Sequence, residues 1–328
     1  MRERGDYVSG QELCEYFGVS RTAVWKAIGQ LKKEGYHIEA VQNRGYRLVE
    51  HSSGENPEMY GASELTSRLT TEWVGRPLSF YDSIGSTNAQ AKSAAEEGAG
   101  HGALFVADMQ TAGRGRRGRA WISPPGTNIY FTLLLKPDIV PDRASMLTLV
   151  MALAVTKGMQ LTIPDHADKI GIKWPNDIVV NGKKTCGILT EMSLSVEQDS
   201  IQYVVIGVGI NVKSQQFAPE LENIATSLCD AFQEEISRTE LLLHICNCFE
   251  EFYAEFIQTG DLSGLQQTYN RLLVNRDRQV CVLDPAGEYT GVARGIDEKG
   301  QLLVERENHE VIGVYAGEVS VRGIYGYV

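Results

Sequence analysis

Residues 110–121 read Gln-Thr-Ala-Gly-Arg-Gly-Arg-Arg-Gly-Arg-Ala-Trp, and this stretch guides the interpretation of the whole chain. Arginine grips carboxylate and phosphate groups through paired N–H donors, while glycine tolerates backbone conformations that other residues avoid. Short basic runs also occur in nucleic-acid and targeting patches. Here, however, strand-like segments at 103–106 and 129–135 flank the run, and no Walker A lysine follows it. The pattern favours a folded loop that closes over an anion.

The composition is that of a globular protein with more than one domain. The chain has 328 residues, of which 43% are hydrophobic and 22% charged, enough for two or three domains. Its net charge of −11 opposes general binding to nucleic acids or anionic membranes but does not exclude a local basic site. The six cysteines form no Cys-x-x-Cys pair, the six histidines lack metal-ligand spacing, and the sequence shows no signal peptide or membrane-spanning run. We therefore expect a cytoplasmic protein with reduced thiols and no membrane partner.

Residues 1–54 predict a winged helix-turn-helix module that binds DNA. Two helix-like segments at 11–17 and 20–31 are joined by a glycine turn. Two short strands at 36–41 and 46–49 then form the wing. Polar residues of the second helix and of the wing tip are the predicted DNA contacts: Arg21, Thr22, Lys26, Gln30 and Arg44. The alternative is a small helical docking domain.

The predicted core of this module is small. On the first segment Leu13, Tyr16 and Phe17 share one face, which in a helix-turn-helix packs against a preceding helix. Only nine mostly polar residues precede Gly10, and a domain of this size is marginally stable. We therefore expect that a first helix is missing and that DNA binding depends on whether the module folds.

The rest of the chain predicts two further domains. A polar linker at 51–58 leads into residues 55–273, where helical and strand-like segments alternate. A strand-like segment at 203–212 is interrupted by two glycines, which mark either a bulge or a place where a ligand lies close to the backbone. Short alternating strands with glycine turns predict a small SH3-like β-barrel over 274–328.

Five motifs occur in the order and spacing of the biotin protein ligases. They are Ser86-Thr87-Asn88, Gln110 with the glycine-arginine run and Trp121, Lys173-Trp174-Pro175-Asn176-Asp177, Lys184 with Gly187-Ile188-Leu189, and Gly207-Val208-Gly209-Ile210-Asn211. With the helix-turn-helix ahead and the barrel behind, the chain resembles the bifunctional bacterial biotin ligase/repressors over nearly its whole length. This resemblance implies an α/β (α+β) central catalytic domain with a mixed sheet, between an N-terminal winged helix-turn-helix and a C-terminal SH3-like β-barrel.

The resemblance also implies a two-step acyl transfer that uses biotin, ATP and Mg²⁺. The biotin carboxylate attacks the α-phosphate of ATP to give biotinyl-5'-AMP and pyrophosphate. A lysine of a biotin carboxyl carrier domain then attacks the adenylate, which gives an amide and AMP. Because two anions meet in the first step, cations are needed at the reacting centre. By resemblance the catalytic pair is Arg116 and Lys184, the latter preferred over Lys183 because it stands three residues before Gly187.

The ligand contacts implied by the resemblance form two sets. Biotin is expected to contact Ser86, Thr87, Asn88, Gln110, Gly113, Arg114, Gly115, Arg116, Lys184, Gly187, Gly207, Gly209 and Ile210. ATP and AMP are expected to contact Arg117, Arg119, Trp121, Asn176, Asn211 and, from across a domain boundary, Arg322. Asp177 is the expected magnesium ligand.

Regulation is implied by the same resemblance. The adenylate orders the glycine-arginine loop and promotes a homodimer through edge strands, which places two winged helices on a palindromic operator, while carrier protein competes for the same surface. Three other interpretations stay open: a ligase whose truncated N-terminal module does not bind DNA, a transcription factor that only senses biotin, and a lipoate ligase. Arg116 and Lys184 argue against the sensor, and the intact glycine-arginine run argues against the lipoate ligase.

Overall fold

The computed structural model describes residues 6–33, 35–49, 59–195, 200–284, 287–316 and 320–323. The chain divides into two compact units, residues 1–67 and 68–328. The predicted linker at 51–58, and with it the predicted boundary after residue 54, lies outside the described residues. The predicted boundary at 273 falls inside the second unit.

The N-terminal unit begins with two helices whose ends are set by capping residues. These are α1 (Gly10–Phe17) and α2 (Arg21–Lys33). Ser9 and Glu12 form a capping box at the start of α1, and Gly18 ends the helix in the left-handed conformation with φ of 64°. At the start of α2 the Ser20 hydroxyl accepts a 3.2 Å hydrogen bond from the Ala23 N–H. The predicted helix-turn-helix is confirmed.

A β-hairpin follows, formed by β1 (Ile38–Val41) and β2 (Gly45–Leu48). The segment before α1 adds to it, because Val8 and Tyr46 exchange two backbone hydrogen bonds of 2.8 and 2.9 Å. Gly45 has a φ of 105°, and a side chain there would collide with the Val8 carbonyl. The hairpin is the predicted wing.

The core of this unit differs from the prediction at α1. Val24, Ile28 and Ile38 are buried, and Leu13 packs against them. Tyr16 and Phe17, expected on the packed face, are 81% and 63% exposed. Since Cys14 also packs on the core, the buried face of α1 is rotated toward residues 13 and 14.

The second unit is built on a seven-stranded sheet. Helix α3 (Ala62–Arg68) belongs to the first unit up to residue 67. In chain order the elements of the second unit are β3 (Leu78–Tyr81), α4 (Thr87–Glu96), β4 (Leu104–Ala107), β5 (Ile129–Leu135), α5 (Met146–Thr162), β6 (Ile170–Lys173), β7 (Asp177–Val180), β8 (Lys183–Ser195), β9 (Ser200–Ile210), α6 (Leu228–Phe232), α7 (Arg238–Thr259) and α8 (Gln266–Leu272). The strand order is β3-β4-β5-β9-β8-β7-β6. Only β3 and β4 pair in parallel within this order, so the predicted mixed sheet is confirmed.

Helix α5 forms much of the core. Twelve of its residues are buried, and it packs mainly against α7. The stretch 141–162 is long and apolar enough to cross a membrane by length and composition, but most of it lies inside the fold. Its hydrophobicity is therefore explained by burial on several sides.

Strand β9 is continuous where the sequence predicts an interruption. From Val204 to Ile210 it pairs in unbroken register with β5 on one side and β8 on the other. The glycines at 207 and 209 thus lie in a regular central strand. The side chains that approach positions 207 and 209 explain why glycine occupies them.

The C-terminal part of the second unit is a five-stranded antiparallel sheet, as predicted for the SH3-like barrel. Its strands are β10 (Gln279–Leu283), β11 (Tyr289–Ile296), β12 (Leu302–Glu305), β13 (Val311–Val314) and β14 (Ser320–Gly323), in the order β13-β12-β11-β10-β14. Trp174, only 1% exposed, joins this sheet to the central one. Its indole N–H donates to the Gly300 carbonyl at 3.1 Å, and its backbone N–H donates to Asn275 at 3.1 Å.

Candidate active site

One cavity of about 890 Å³ collects most of the predicted ligand contacts. It is bounded by the start of α4, the glycine-arginine loop, the Lys-Trp-Pro-Asn-Asp segment and strands β8 and β9. The predicted residues that line it are Ser86, Thr87, Asn88, Gln110, Arg114, Gly115, Arg116, Arg117, Arg119, Trp121, Asn176, Asp177, Lys184, Gly187, Gly207, Gly209 and Asn211. Tertiary structure therefore brings together residues more than 120 positions apart in sequence, as shown by Ser86 and Asn211.

The end of the cavity beside α4 is polar and uncharged. Gln110 Oε1 accepts hydrogen bonds from the Thr87 N–H at 2.9 Å and from its hydroxyl at 3.1 Å. Gln110 Nε2 donates to the Ser123 hydroxyl at 3.2 Å. Ser86 occupies the N-cap of α4, and its side chain makes no capping bond within the described structure. This end presents amide and hydroxyl groups that suit a neutral polar ring.

A network behind this end was missed by sequence reasoning. Thr132 on β5 is completely buried, and its hydroxyl lies 2.9 Å from the Thr87 hydroxyl and 2.6 Å from Asn88 Oδ1. Asn88 Nδ2 donates to Glu191 at 2.8 Å, and Glu191 pairs with Lys92 at 2.9 Å. Asn88, predicted to bind biotin, therefore has both amide atoms engaged by protein groups. A threonine in an apolar strand was the only sequence signal.

The glycines of β8 and β9 are required by neighbouring side chains. A Cβ at Gly207 would collide with the Asn88 amide, and one at Gly209 would lie 2.5 Å from the Trp121 indole. A Cβ at Gly187 would lie 3.1 Å from the same indole. Trp121, expected near adenine, thus packs against two glycines that were expected to contact biotin. The glycines allow the indole to lie directly on the sheet.

The opposite end of the cavity is charged. Lys184 Nζ donates to Asp177 at 2.5 Å and lies 5.6 Å from the centre of the Trp121 ring. Arg116 Nη1 donates to Asn176 at 3.1 Å. Burial lowers the pKa of the Arg116 guanidinium, while the nearby Asp177 carboxylate raises it. The Arg116 side chain keeps its positive charge at neutral pH. Two cations therefore face one carboxylate here.

Arg116 also ties the loop to the C-terminal sheet. Its Nη2 donates to the Ala316 carbonyl at 3.0 Å, a contact across 200 positions of sequence. The loop itself is a compact turn, in which the Gly115 N–H donates to the Arg119 carbonyl at 2.8 Å. Arg117 and Gly118 adopt φ of 57° and 70°. A non-glycine residue in this region is an uncommon conformation that often occurs at functional sites.

Three predicted contacts lie elsewhere. Gly113 is buried behind the wall, where a Cβ would lie 2.5 Å from the Trp121 carbonyl, so its role is close packing. Ile210 is a fully buried core residue paired with Ile129 and Cys186. Arg322 pairs through its backbone with Cys281, but its side chain lies outside the described residues.

Two parts of the wall were not predicted. Lys173, 5% exposed, lines the cavity beside Trp174. Residues 215–225 form a further side, which includes Phe217 and Leu221. The Lys184 N–H donates to the Ile224 carbonyl at 2.6 Å, so this segment is fixed next to the charged end. Apolar residues in a segment without strand or helix periodicity were the signal that could have identified it.

A second groove of about 1190 Å³ adjoins the charged end and shares Arg116 and Asn176 with the cavity. Its wall includes β8, where Met192 is 47% and Leu194 45% exposed. Among the described strands, residues 189–195 of β8 pair only with β9. The groove therefore follows a strand with an unpaired edge, and Asp142, Asp284 and Glu288 also line it.

The predicted DNA contacts all lie in the N-terminal unit. Arg21, Thr22, Lys26, Gln30 and Arg44 are all exposed. Arg44 stacks on the Tyr7 ring at 5.4 Å, and Arg47 lies 4.9 Å from the same ring. Tyr7 was not predicted to take part, and it supports the tip of the wing.

Comparison with known proteins matches three segments of the chain to known domain families. A helix-turn-helix domain model matches residues 1–47, the model of the biotin/lipoate A/B protein ligase family matches 81–211, and a model of the biotin protein ligase C-terminal domain matches 277–322. The bifunctional ligase/repressor BirA of Bacillus subtilis is 41% identical, over 96% of this chain and 94% of that protein. BirA of Escherichia coli is 30% identical, over 97% and 94%.

A solved structure is also similar to this chain. The biotin protein ligase from Aquifex aeolicus, in complex with biotin and ATP, is 28% identical with a TM-score of 0.64. The similarity covers 75% of this chain and 98% of that one.

Proposed function

This chain belongs to the bifunctional biotin ligase/repressor family, and we propose that its cavity is divided between biotin and ATP. The main support for this proposal is the polarity of the cavity. Its neutral, hydrogen-bonding end lies at Thr87 and Gln110, and its cationic end lies at Arg116 and Lys184. The ureido ring of biotin occupies the neutral end. Its carboxylate points toward the cationic end, where the α-phosphate of ATP is held.

Trp121 separates the two ligands. Its indole N–H is buried and has no hydrogen-bond partner within the described part of the chain. Buried donors are nearly always satisfied, so an acceptor on a ligand is the expected partner. The Gly187 and Gly209 backbones hold this indole in place. Ser86, Gln110, Arg114 and Gly115 complete the proposed biotin contacts, and Arg117, Arg119, Asn176 and Asn211 complete the nucleotide contacts.

The cations act on the step in which two anions meet. A biotin carboxylate oxygen bonds to the α-phosphorus, the bond from that phosphorus to the pyrophosphate oxygen breaks, and pyrophosphate leaves with its electron pair. Arg116 and Lys184 lower the barrier by neutralising charge on the carboxylate and phosphate, as fixed donors at a reacting centre do. In the second step the neutral amine of an acceptor lysine attacks the carbonyl carbon and the bond from that carbon to the phosphate oxygen breaks. AMP leaves with the electron pair, and the nitrogen loses a proton to solvent as the amide forms.

Magnesium fits this site only together with nucleotide. Within the residues that the structure describes, no group of three His, Cys, Asp or Glu side chains could hold a metal ion. Asp177 supplies one carboxylate, already paired with Lys184. Mg²⁺ is often bound by one or two protein carboxylates together with substrate phosphates. We infer that Asp177 would hold it with ATP, and that it would neutralise phosphate charge there.

The unpaired edge of β8 is the proposed surface for both macromolecular partners. A biotin carboxyl carrier domain that docks there can deliver its lysine to the adenylate, because the groove shares Arg116 and Asn176 with the cavity. A second copy of the chain can instead pair its own β8 edge to form a homodimer. Use of one edge by both partners makes the two assemblies mutually exclusive.

The N-terminal unit is the proposed operator-binding module. Its exposed α2 residues and the Arg44 wing suit the major groove and the phosphates of DNA. A homodimer would present two such modules to a palindromic operator. All six cysteines carry free thiols, which fits the predicted cytoplasmic location.

The test combines this chain with ATP, biotin and an apo carrier fragment, and measures AMP release and label on the carrier lysine. Both are expected to require all three components. Absence of ATP-dependent transfer would refute the ligase assignment. Operator binding with and without biotinyl-AMP separates the bifunctional protein from the alternative, a ligase whose N-terminal module does not bind DNA.

A further inference from the structure

Glu191 lies behind the neutral end of the cavity, on β8. Its carboxylate accepts hydrogen bonds from Asn88 Nδ2 at 2.8 Å and from Lys92 Nζ at 2.9 Å. Burial raises the pKa of the Glu191 carboxyl, but the bonds from Lys92 and Asn88 lower it, and the net direction is downward. The group is therefore ionised at neutral pH and can only accept hydrogen bonds.

An acceptor at this position fixes the orientation of the Asn88 amide. The nitrogen must face Glu191, and the Leu189 carbonyl, another acceptor, lies 3.4 Å from the same nitrogen. Asn88 Oδ1 must then face the Thr132 hydroxyl, 2.6 Å away. The network thus assigns the two amide atoms without ambiguity.

The orientation of Asn88 fixes the hydroxyl protons in turn. An amide oxygen cannot donate, so the single proton of the Thr132 hydroxyl goes to Asn88 Oδ1. The single proton of the Thr87 hydroxyl then goes to the Thr132 oxygen, 2.9 Å away, or to Gln110 Oε1, 3.1 Å away. Gln110 Oε1 keeps its bond to the Thr87 N–H at 2.9 Å. The Thr87 oxygen consequently turns lone pairs toward the cavity.

We propose that Glu191 is a positioning residue, whose charge directs the Asn88 and Thr132 protons away from Thr87 and so leaves the Thr87 oxygen free to accept a hydrogen bond from the ligand. This inference rests on the proposed function, in which the ureido ring of biotin occupies this end. A ureido group carries two N–H donors, so an acceptor at Thr87 matches one of them. With the opposite polarity the Thr132 proton would occupy a lone pair of the Thr87 oxygen, which would make Thr87 a weaker acceptor for the ligand.

The decisive variants are Glu191→Gln and the double variant Glu191→Gln with Lys92→Met. In Glu191→Gln the single amide oxygen is drawn to Lys92, so the NH₂ group faces Asn88 and reverses the chain of protons. We expect the dissociation constant and KM for biotin to rise about tenfold, while KM for ATP is unchanged. Removing Lys92 as well frees the oxygen to face Asn88, and biotin affinity is expected to return to within about threefold of the wild type.

Isothermal titration of biotin and steady-state kinetics measure these effects. Glu96→Gln is the control. Glu96 lies one helical turn after Lys92 on α4 and accepts a 3.3 Å hydrogen bond from the Tyr203 hydroxyl, away from the cavity. Wild-type affinity in Glu191→Gln, or a double variant no better than the single one, overturns the inference alone. Failure of the unmodified chain to bind biotin overturns the proposed function and this inference together.

Discussion

Replacement of Gly207 by alanine tests whether the β9 glycines are packing requirements of the site. The Gly207 backbone is held on both sides, opposite Thr132 on β5 and Leu189 on β8. A Cβ there collides with the Asn88 amide, which is itself held by Thr132 and Glu191. Because the central strand is fixed by two neighbours, Asn88 must move.

The expected loss in the free energy of unfolding of Gly207→Ala has two parts. Overpacking a filled site costs about 1–3 kcal/mol. Displacement of Asn88 breaks buried hydrogen bonds, which costs about 1–3 kcal/mol more. The free energy of unfolding should therefore fall by about 3 kcal/mol, a value in the lower half of the summed range. At about 2–4 °C per kcal/mol for a unit of this size, the unfolding midpoint should fall by about 6–12 °C.

Scanning calorimetry with and without biotin and ATP measures this change. The relevant transition is the one that these ligands shift upward, since it belongs to the unit that binds them. Gly100→Ala is the matched control, because Gly100 has open space around its Cβ position, and this variant should unfold with the wild type. A Gly207→Ala protein with a wild-type midpoint and wild-type biotin affinity would refute the packing explanation.

Further predictions concern the reacting centre and the two partner surfaces. Lys184→Ala should slow adenylate formation by a factor of about 10²–10³. Lys183→Ala should leave the rate unchanged, because Lys183 Nζ donates to the Glu222 carbonyl at the surface. Equal single-turnover rates in the two variants would exclude Lys184 from the site. Arg116→Ala breaks the contacts with Asn176 and Ala316, so adenylate should escape and label unrelated lysines; tight retention of adenylate in a filtration assay would contradict this. Arg44→Ala should weaken operator binding and reduce the salt slope by about one, measured by anisotropy at several salt concentrations. Met192→Lys should prevent ligand-promoted dimers by placing a charge on the β8 edge, which sedimentation velocity detects, and an undiminished dimer would exclude this edge.

The parts of the fold that local signals specify were predictable. Gly18 ends α1 and Ser20 caps α2, since a left-handed residue and a side-chain acceptor act within a few positions. The residue types of the glycine-arginine run alone predicted a loop that binds an anion, and the resemblance to the biotin protein ligases placed the Lys-Trp-Pro-Asn-Asp segment in the same site. Arg116 and Lys184 do lie at one charged end of a cavity.

Other features depend on surfaces that a local pattern does not encode. At α1 the apolar spacing predicts a face with Tyr16 and Phe17, yet burial is decided by the position of α2 and the wing, so the packed face shifts to Leu13 and Cys14. The glycines of β9 suggested a bulge or a ligand. Their cause is the Asn88 amide and the Trp121 indole, which only the packing of α4 and the loop brings to the sheet.

The sequence by itself determined the caps and turns of the N-terminal unit, because these signals act within a few positions, and its resemblance to the biotin protein ligases supplied the order of the modules and the expected cations. Only the tertiary structure decided the network that orients the neutral end. Thr132 and Asn88 are 44 positions apart, and Asn88 and Glu191 are 103 apart. Their contact follows from strand order, with β9 placed between β5 and β8 and α4 packed against β5 and β9. Strand order depends on long-range burial, which alternation along one strand does not specify.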